Sequence, residues 1–194
     1  MSEIRIREAS PSRFADIEHS LTGGGDGASC MCQWWTLTNA EWNDTDADQR
    51  RELLRDEVDA GPPPGLIAYV DGEAAGWVRV APRTAQGRIP RMRIIKGSNE
   101  PLDDDSVWAV TCFVVRREYR RQGLNAALLT AAVDFARQHG ARVVEGYPFD
   151  LAVKKSSANS LFHGTLSTFV DAGFSEVART APHQPIVALA LAET

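Results

Sequence analysis

The chain has 194 residues, of which 43% are hydrophobic and 24% are charged, and 26 acidic against 21 basic residues give a formal net charge of −5. That length suits one domain with its own core, and the acidic balance argues against nucleic acid as the main partner, because phosphate binding usually requires a basic excess. No stretch approaches the roughly 20 apolar residues of a membrane span, and the N-terminus lacks the apolar run of a secretory signal. Three cysteines imply no disulfide framework, so we expect a reducing, cytoplasmic setting.

The first sixty residues predict one strand and two helices. Apolar and polar residues alternate over Ile4–Arg7, which is typical of a half-buried strand. A serine followed by proline opens a short helix that runs from Ser10 to about Ser20. A second helix is predicted from about Asp46 to Ala60, with Asp44 or Thr45 as its N-cap.

The middle of the chain predicts a hairpin followed by a buried strand. Leu66–Val70 and Ala74–Val80 flank an Asp-Gly pair, the strongest short-range signal for two antiparallel strands. The polar stretch from about residue 83 to 105 predicts a short strand near Met92–Ile95. Val107–Val115 is almost continuously apolar, as in a strand buried on both faces.

The last seventy residues alternate helices with strands. Gly123–His139 has apolar residues at the helical period, and Arg142–Tyr147 reads as a strand. Leu161–Ala172 predicts a helix, and Phe174–Ala178 and Ile186–Leu191 predict two final strands. With no repeat and no boundary in sight, residues 1–194 are expected to form one domain around a mixed α/β sheet.

The turn between the buried strand and the following helix is the most informative segment. A turn of this kind presents unpaired backbone N–H groups and the positive end of a helix dipole, which together suit a pyrophosphate. Gly123 lets the backbone approach the phosphates, and Arg116, Arg117, Arg120 and Arg121 add positive charge. From the residues alone, a solvated basic loop that caps a core helix remains an open alternative.

The same segment resembles the coenzyme A signature of the GNAT superfamily, Arg/Gln-x-x-Gly-x-Gly/Ala. Arg120, Gly123 and Asn125 fall on its three defined positions, and Asn125 departs from the usual glycine or alanine. The first strand, the Asp-Gly hairpin and the late Phe169–Phe174 element also resemble the family. Cys30–Trp35 is similar to a GNAT subgroup of uncharacterised bacterial proteins.

This resemblance implies a mixed, mostly antiparallel sheet with a splayed central strand pair flanked by helices. It implies direct attack of a primary amine on acetyl-coenzyme A in a ternary complex, with no metal. The acceptor would be a small molecule or a peptide, and the protein a monomer or homodimer away from membranes and nucleic acid. The residues that would hold the coenzyme are Phe113, Val114 and Val115, through backbone N–H groups, and Arg120, Arg121, Gln122, Gly123, Leu124, Asn125 and Ala126.

The general acid and base are less obvious, because Phe169 occupies the place where many family members carry a catalytic tyrosine. Glu145 and Tyr147 are the predicted base and acid, since spacing of two on a strand places both side chains on one face. The alternatives are a Glu145 carboxylate paired with an arginine and a Tyr147 hydroxyl satisfied in the core. His163 is a further candidate base, against a partly exposed histidine with no role. If no such group acts, either the thiolate leaves unassisted or the chain is not catalytic and is instead a coenzyme A-binding sensor or interaction module.

Two other features of the sequence bear on the acceptor site and on metal binding. Trp34 and Trp35 are predicted to line an apolar acceptor pocket, with packing in the core as the equal alternative. Cys30 and Cys32, separated by one residue, raise the question of a metal site. The remaining Cys112 lies inside a predicted strand and zinc normally takes four ligands, so no metal is expected.

Overall fold

The structure, a computed structural model, describes residues 3–23 and 25–192, and of residues 158–160 it describes the backbone only. No helix in those ranges is both long enough and apolar enough to span a bilayer. The strands are β1 Ile4–Glu8, β2 Gly65–Val70, β3 Glu73–Pro82, β4 Val107–Val115, β5 Val143–Gly146, β6 Ser175–Ala181 and β7 Gln184–Ala190. The helices are α1 Phe14–Leu21, α2 Gly27–Cys30, α3 Asn39–Asp44, α4 Ala47–Ala60, α5 Leu124–Gln138 and α6 Leu166–Asp171.

The strands of the described chain form one seven-stranded sheet in the order β1-β2-β3-β4-β5-β7-β6. Neighbouring strands are antiparallel except for β4 and β5, which are parallel. A parallel pair requires a crossover connection, and α5 supplies it. The predicted mixed, mostly antiparallel sheet flanked by helices is therefore confirmed.

The predicted Asp-Gly hairpin joins β2 to β3 through a two-residue turn. Asp71 and Gly72 both have positive φ, at 51° and 93°. Positive φ at both central positions is the mark of the turn that matches the right-handed twist of a hairpin. The local sequence thus fixes the pairing of these strands without help from distant residues.

Each face of the sheet carries its own hydrophobic core. On one face, α5 and α6 pack through residues such as Leu128 and Phe169. On the other face, α1, α4 and the turn at residues 33–35 pack through residues such as Ile17, Leu54 and Trp35. Burial on both faces explains the nearly continuous apolar sequence of β4.

The predicted elements differ from the structure in three places. Residues 89–91 and 93–97 form 3-10 turns in place of the strand expected near residue 92. Ile94 and Ile95 are consecutive and both pack in the same core, whereas a strand would point them to opposite faces. The late helix is divided at Gly164, whose φ is 78°. The N-cap of α4 is Asp46, one or two residues after the predicted cap, in a reciprocal capping box with Gln49.

Candidate active site

The two central strands separate partway along their length. β5 pairs with β4 only from Val107 to Val110, while β4 continues to Val115 without a partner on that side. At the point of separation β4 contains one extra residue, Thr111, because Val110 and Cys112 oppose consecutive residues of β3. A bulge of this kind bends a strand and exposes its edge, so a cleft opens between the two strands.

The bulge is held in place by a buried glutamine. Gln86 Nε2 donates to the carbonyl oxygens of Ala81 and Ala109 at 3.3 and 3.1 Å, and its Oε1 accepts from Thr111 Oγ1 at 2.6 Å. Gln86 is fully buried and Thr111 almost so. Because every polar atom of this contact is satisfied, the bulge is a fixed part of the fold.

The bulge decides which backbone groups of β4 face the cleft. Arg116 N donates to Ala75 O of the preceding hairpin at 2.9 Å, so its backbone points toward β3. Successive residues of an antiparallel strand direct their groups to opposite sides. Val114 therefore faces β3, whereas Phe113 and Val115 direct their N–H groups into the cleft. Of the three predicted backbone donors, Val114 thus directs its N–H group to β3 and not to the cleft.

The cleft forms a cavity of about 320 Å³ between β4, the turn before α5 and the turn at residues 158–163. Gly25 and Asp26, from the glycine-rich segment before α2, and Leu161 and Phe162 of the late turn complete its wall. Eight of the ten predicted coenzyme residues line it, and Gln122 and Ala126 do not. Its lining residues are Gly25, Asp26, Phe113, Val114, Val115, Tyr119, Arg120, Arg121, Gly123, Leu124, Asn125, Leu161 and Phe162.

The turn before α5 has the geometry expected of a phosphate site. Arg121 and Gly123 adopt left-handed backbone conformations, with φ of 64° and 79°. Gly123 is the N-cap of α5 and has no side-chain cap, and a Cβ there would meet nothing within 4 Å. The first backbone N–H groups of this 15-residue helix, from Leu124 onward, are consequently open to a ligand.

Polar groups around this turn are available to a ligand. Arg121 is exposed and forms no ion pair among the described residues, and Arg120 Nε donates to Val115 O at 3.2 Å. The Asn125 Oδ1 atom is buried and has no partner in the part of the chain that is described. Arg116, in contrast, is occupied by Glu118 and by the carbonyl of His19.

Gly25 and Asp26, from the glycine-rich segment before α2, form part of the facing wall, which the motif alone did not indicate. Arg117 N donates to Gly23 O at 3.1 Å. A Cβ on Gly23 would lie 2.1 Å from Arg116 Cγ, so a glycine is required for this approach. Gly25 and Asp26 then reach the cleft. The glycine-rich sequence from Thr22 to Gly27 is the signal that could have indicated this wall of the cleft.

Glu145 and Tyr147 lie close together in the core beneath the cleft. Both are essentially unexposed, and Tyr147 Oη donates to Glu145 Oε2 at 2.9 Å. The same oxygen accepts from Arg83 Nη1 at 2.9 Å, and Oε1 accepts from Ser98 Oγ at 2.5 Å. Burial and the Glu145 charge raise the pKa of Tyr147 well above its usual value. The expectation that these two side chains share a face is met, and Glu145 is also ion-paired with an arginine.

Phe169 fills the angle between the separated strands. Its ring is fully buried and makes an edge contact with Phe113, with centroids 6.0 Å apart. A Cβ on Gly146, the last residue of β5, would lie 2.3 Å from Phe169 Cε1. The side chain at the usual tyrosine position therefore packs as a wedge between the ends of β4 and β5, and it has no ionisable group.

The predicted acceptor residues Trp34 and Trp35 have different environments. Trp35 is fully buried and stacks on Tyr147 at 6.0 Å, so packing in the core describes it. Trp34 is half-buried and borders a second, smaller cavity.

His163, the further candidate base, is buried with 9% of its surface exposed, and this burial lowers its pKa to about 3. A group this weakly basic accepts a proton poorly near neutral pH.

The cysteines are packed as small core or near-core residues. Cys32 Sγ accepts from Trp77 Nε1 at 3.1 Å, and Cys32 and Cys112 are both buried. All three cysteines are free thiols, and burial raises the pKa of Cys30 to about 11. Among residues 3–23 and 25–192 there is no group of three metal-ligating side chains.

A comparison with known protein families shows to which family this chain belongs. Residues 30–149 match the acetyltransferase (GNAT) family. The chain belongs to the GNAT acetyltransferase family. The match includes β4 and the turn before α5, which supply most of the lining of the cleft, whereas Gly25, Asp26, Leu161 and Phe162 lie outside the matched range. A comparison with curated proteins gives no match.

Solved structures similar to this GNAT protein share its fold at low sequence identity. A GNAT-family acetyltransferase from Streptococcus pneumoniae has a TM-score of 0.56 and 15% identity, over 97% of this chain and 100% of that one. The putative acetyltransferase YncA from Salmonella typhimurium, solved with acetyl-CoA, has a TM-score of 0.56 and 18% identity, over 98% of this chain and 95% of that one. PaiA N-acetyltransferase from Thermoplasma acidophilum, solved with coenzyme A, has a TM-score of 0.55 and 13% identity, over 97% of this chain and 99% of that one.

Proposed function

We propose that this GNAT protein transfers an acetyl group from acetyl-coenzyme A to a primary amine of a small molecule or peptide. One observation carries the proposal: the open edge of β4 and the uncapped N-terminus of α5 border the same cavity. The helix terminus with Arg120 and Arg121 would bind the pyrophosphate. The two relatives solved with acetyl-CoA or coenzyme A support the same ligand class.

The exposed edge of β4 suits the chemistry of acyl transfer. When an amine attacks a thioester, negative charge develops on the carbonyl oxygen, and preorganised donors stabilise it. The N–H groups of Phe113 and Val115 are such donors, because the bulge at Thr111 fixes their direction. Attack would take place in a ternary complex, and the thiolate of coenzyme A would leave as the amide forms.

The catalytic roles of Glu145 and Tyr147 stay predictions. Glu145 already accepts hydrogen bonds from Arg83, Tyr147 and Ser98. A base in this position would need to exchange one of these partners for the amine or for a water molecule. The arrangement gives more support to a structural ion pair, which leaves solvent or the acceptor itself as the proton acceptor.

The second candidate function is a coenzyme A-binding module without turnover. The observation that favours it is Phe169, which is packed in the core where a proton donor would otherwise stand. Such a protein would keep the cleft and its phosphate turn. It would lack only the acid–base steps.

Thiol release and coenzyme binding, measured on the same preparation, separate the two functions. With acetyl-coenzyme A and a panel of amino acids, polyamines and peptides, the enzyme should release free thiol only when a suitable amine is present. Calorimetry should show coenzyme A binding in either case. Binding without thiol release across the panel would identify the module, and absence of binding would reject both functions.

A further inference from the structure

Arg88 is a buried cation that lacks a counter-charge in the described part of the chain. It is 8% exposed, and none of the ion pairs among the described residues includes it. Arg79 and Arg83, which are also buried, pair with Glu57 and Glu145. Burial lowers the pKa of Arg88, but a guanidinium stays charged at neutral pH. Because a buried charge normally has a counter-charge, an anion is missing beside Arg88.

The fold holds Arg88 in place through neutral groups. Its backbone N–H donates to Trp35 O at 3.0 Å, and a Cβ on the preceding Gly87 would lie 2.8 Å from Thr36 O, so a glycine permits this close approach. The guanidinium lies over the Trp34 ring, 3.7 Å from its centroid, and Nε donates to Trp34 O. The charge is therefore fixed in position by backbone contacts and by an aromatic ring, and it is not neutralised.

The two terminal nitrogens of this guanidinium are unequally satisfied. Nη1 donates to Oδ1 of Asn39, whereas Nη2 is buried and has no partner within the described residues. A buried donor without an acceptor lowers stability. Asn39 offers one neutral oxygen to this edge of the guanidinium, whereas a carboxylate offers two charged oxygens and can accept from both nitrogens. The edge therefore suits a carboxylate better than the amide that contacts it.

Arg88 lines a cavity of about 180 Å³ between the turn at residues 33–35, the start of α3 and the turn at residues 89–91. Arg91 adds a second, exposed guanidinium, and its Nη1 donates to Gly87 O at 2.7 Å. Apolar surface lies beside the two charges. The lining residues are Trp34, Thr38, Asn39, Arg88, Arg91 and Met92.

The acidic and thiol groups near this cavity do not neutralise the two arginines. Hydrogen bonds from Thr38, and to a lesser extent the charge of Arg91, hold the pKa of Glu41 below its usual range, so this carboxylate is already engaged in the cap of α3. The Cys30 thiol near Arg88 is uncharged at neutral pH, because burial raises its pKa to about 11. Two guanidinium groups and one engaged carboxylate leave the cavity with a positive charge.

We infer that this cavity is a second ligand site, which binds a small organic carboxylate through Arg88 and Arg91 beside the Trp34 ring. The carboxylate takes the place of the Asn39 oxygen at Nη1 and also accepts from Nη2. Asn39 is exposed, so its side chain can move into solvent. The cavity shares no lining residue with the coenzyme cleft. The inference is independent of the proposed acetyl transfer and assigns this ligand no part in that reaction.

Thermal denaturation with succinate tests the site, and the neutral diamide succinamide is the matched ligand. Succinate should raise the melting temperature of the wild type by about 3–6 °C at ten times its dissociation constant, because a ligand stabilises the state that binds it. Succinamide should cause no shift. Arg88→Met should lose the succinate shift, and Arg91→Met should show a smaller one. Arg121→Met, which removes an exposed arginine from the coenzyme cleft, should respond like the wild type.

Three results would overturn the inference. No succinate shift in the wild type would reject the site. Equal shifts with succinate and succinamide would show that charge is not recognised. A shift that persists in Arg88→Met, or that Arg121→Met loses, would place the anion elsewhere.

A carboxylate introduced into the chain tests the same site while Arg88 stays in place, and it decides the inference if Arg88→Met does not fold. In Asn39→Asp the new side chain supplies the anion, so this variant should melt above the wild type and should no longer respond to succinate. Ala40→Asp is the control, since it adds the same charge one residue further along α3, outside the cavity, and it should keep the succinate shift. The inference fails if Asn39→Asp melts no higher than Ala40→Asp, or if it keeps the full succinate shift.

Discussion

Replacing Glu145 by glutamine tests whether this carboxylate is structural or catalytic. The substitution leaves Arg83 as a charge in the core without its ion-pair partner, since both side chains are almost unexposed. Removing one partner of a buried pair costs about 3–5 kcal/mol. For a chain of this length, about 2–4 °C of melting temperature is lost per kcal/mol. Thermal denaturation of Glu145→Gln should therefore show a decrease of about 6–20 °C.

A double variant separates stability from catalysis. In Arg83→Met/Glu145→Gln the buried charge is gone, and the amide can still accept from Tyr147 and donate to Ser98. We expect this variant to recover at least half of the lost melting temperature, because an apolar replacement of a buried pair is often neutral. If Glu145 is the base, both variants lose about 10²- to 10⁴-fold in kcat, and if it is structural, the double variant regains turnover.

Two results would refute this reasoning. A Glu145→Gln protein with an unchanged melting temperature would show that the pair with Arg83 contributes nothing to folding. Wild-type turnover of the same variant across about pH 6 to 9 would remove Glu145 from the mechanism. Calorimetry with coenzyme A serves as the control, since the cleft does not include either residue and its affinity should be nearly intact.

Three further predictions concern the cleft and the core around it. Gly123→Glu should abolish coenzyme A binding in calorimetry, whereas Gly140→Glu, at the other end of α5 with φ of 81° and equally open space, should bind normally; unchanged affinity in folded Gly123→Glu would exclude this turn as the phosphate site. Phe169→Leu should lower stability by about 1–2 kcal/mol and leave the shape of the pH–rate profile unchanged, and a lost ionisation would contradict the wedge role. Because burial lowers the pKa of His163 to about 3, against about 6.5 in the unfolded chain, the unfolded state binds the extra proton below about pH 6.5. The free energy of unfolding should then fall by up to about 1.4 kcal/mol per pH unit toward pH 3. Urea titrations at several pH values should show a weaker dependence of this free energy on pH in His163→Leu than in the wild type. Equal pH dependence in the two proteins would contradict this assignment.

Local sequence signals predicted those parts of the fold that depend on neighbouring residues. The Asp71-Gly72 turn needs only two residues that accept positive φ. β4 and α5 are long segments with clear patterning, and their apolar residues are buried as expected. The strand predicted near Met92–Ile95 was wrong, because a short apolar run does not distinguish a strand from a helical turn when both isoleucines face the same core.

Most residues that line the proposed coenzyme cleft belong to β4 and the motif that follows it, whereas the surroundings of Glu145 depend on contacts between distant segments. Arg83 and Glu145 are 62 positions apart, and neither pattern nor spacing connects them. Gln86 likewise reaches Thr111 across 25 positions to hold the bulge. The sequence likewise does not show that Arg88 is almost completely buried and forms no ion pair among the described residues, because most arginines are exposed and only the fold shows which are buried.

Under the proposed function, the position of the Phe169 ring has a consequence for binding of coenzyme A. The ring keeps β4 and β5 apart before any ligand arrives, so no strand pairing has to be broken when the ligand binds. The ordering of the cleft is completed during folding, and preorganisation of this kind raises affinity by lowering the entropy lost on association. Affinity for the coenzyme is then coupled to the packing of the distant core. A substitution in α6 can appear as weak coenzyme binding although every residue of the cleft is unchanged.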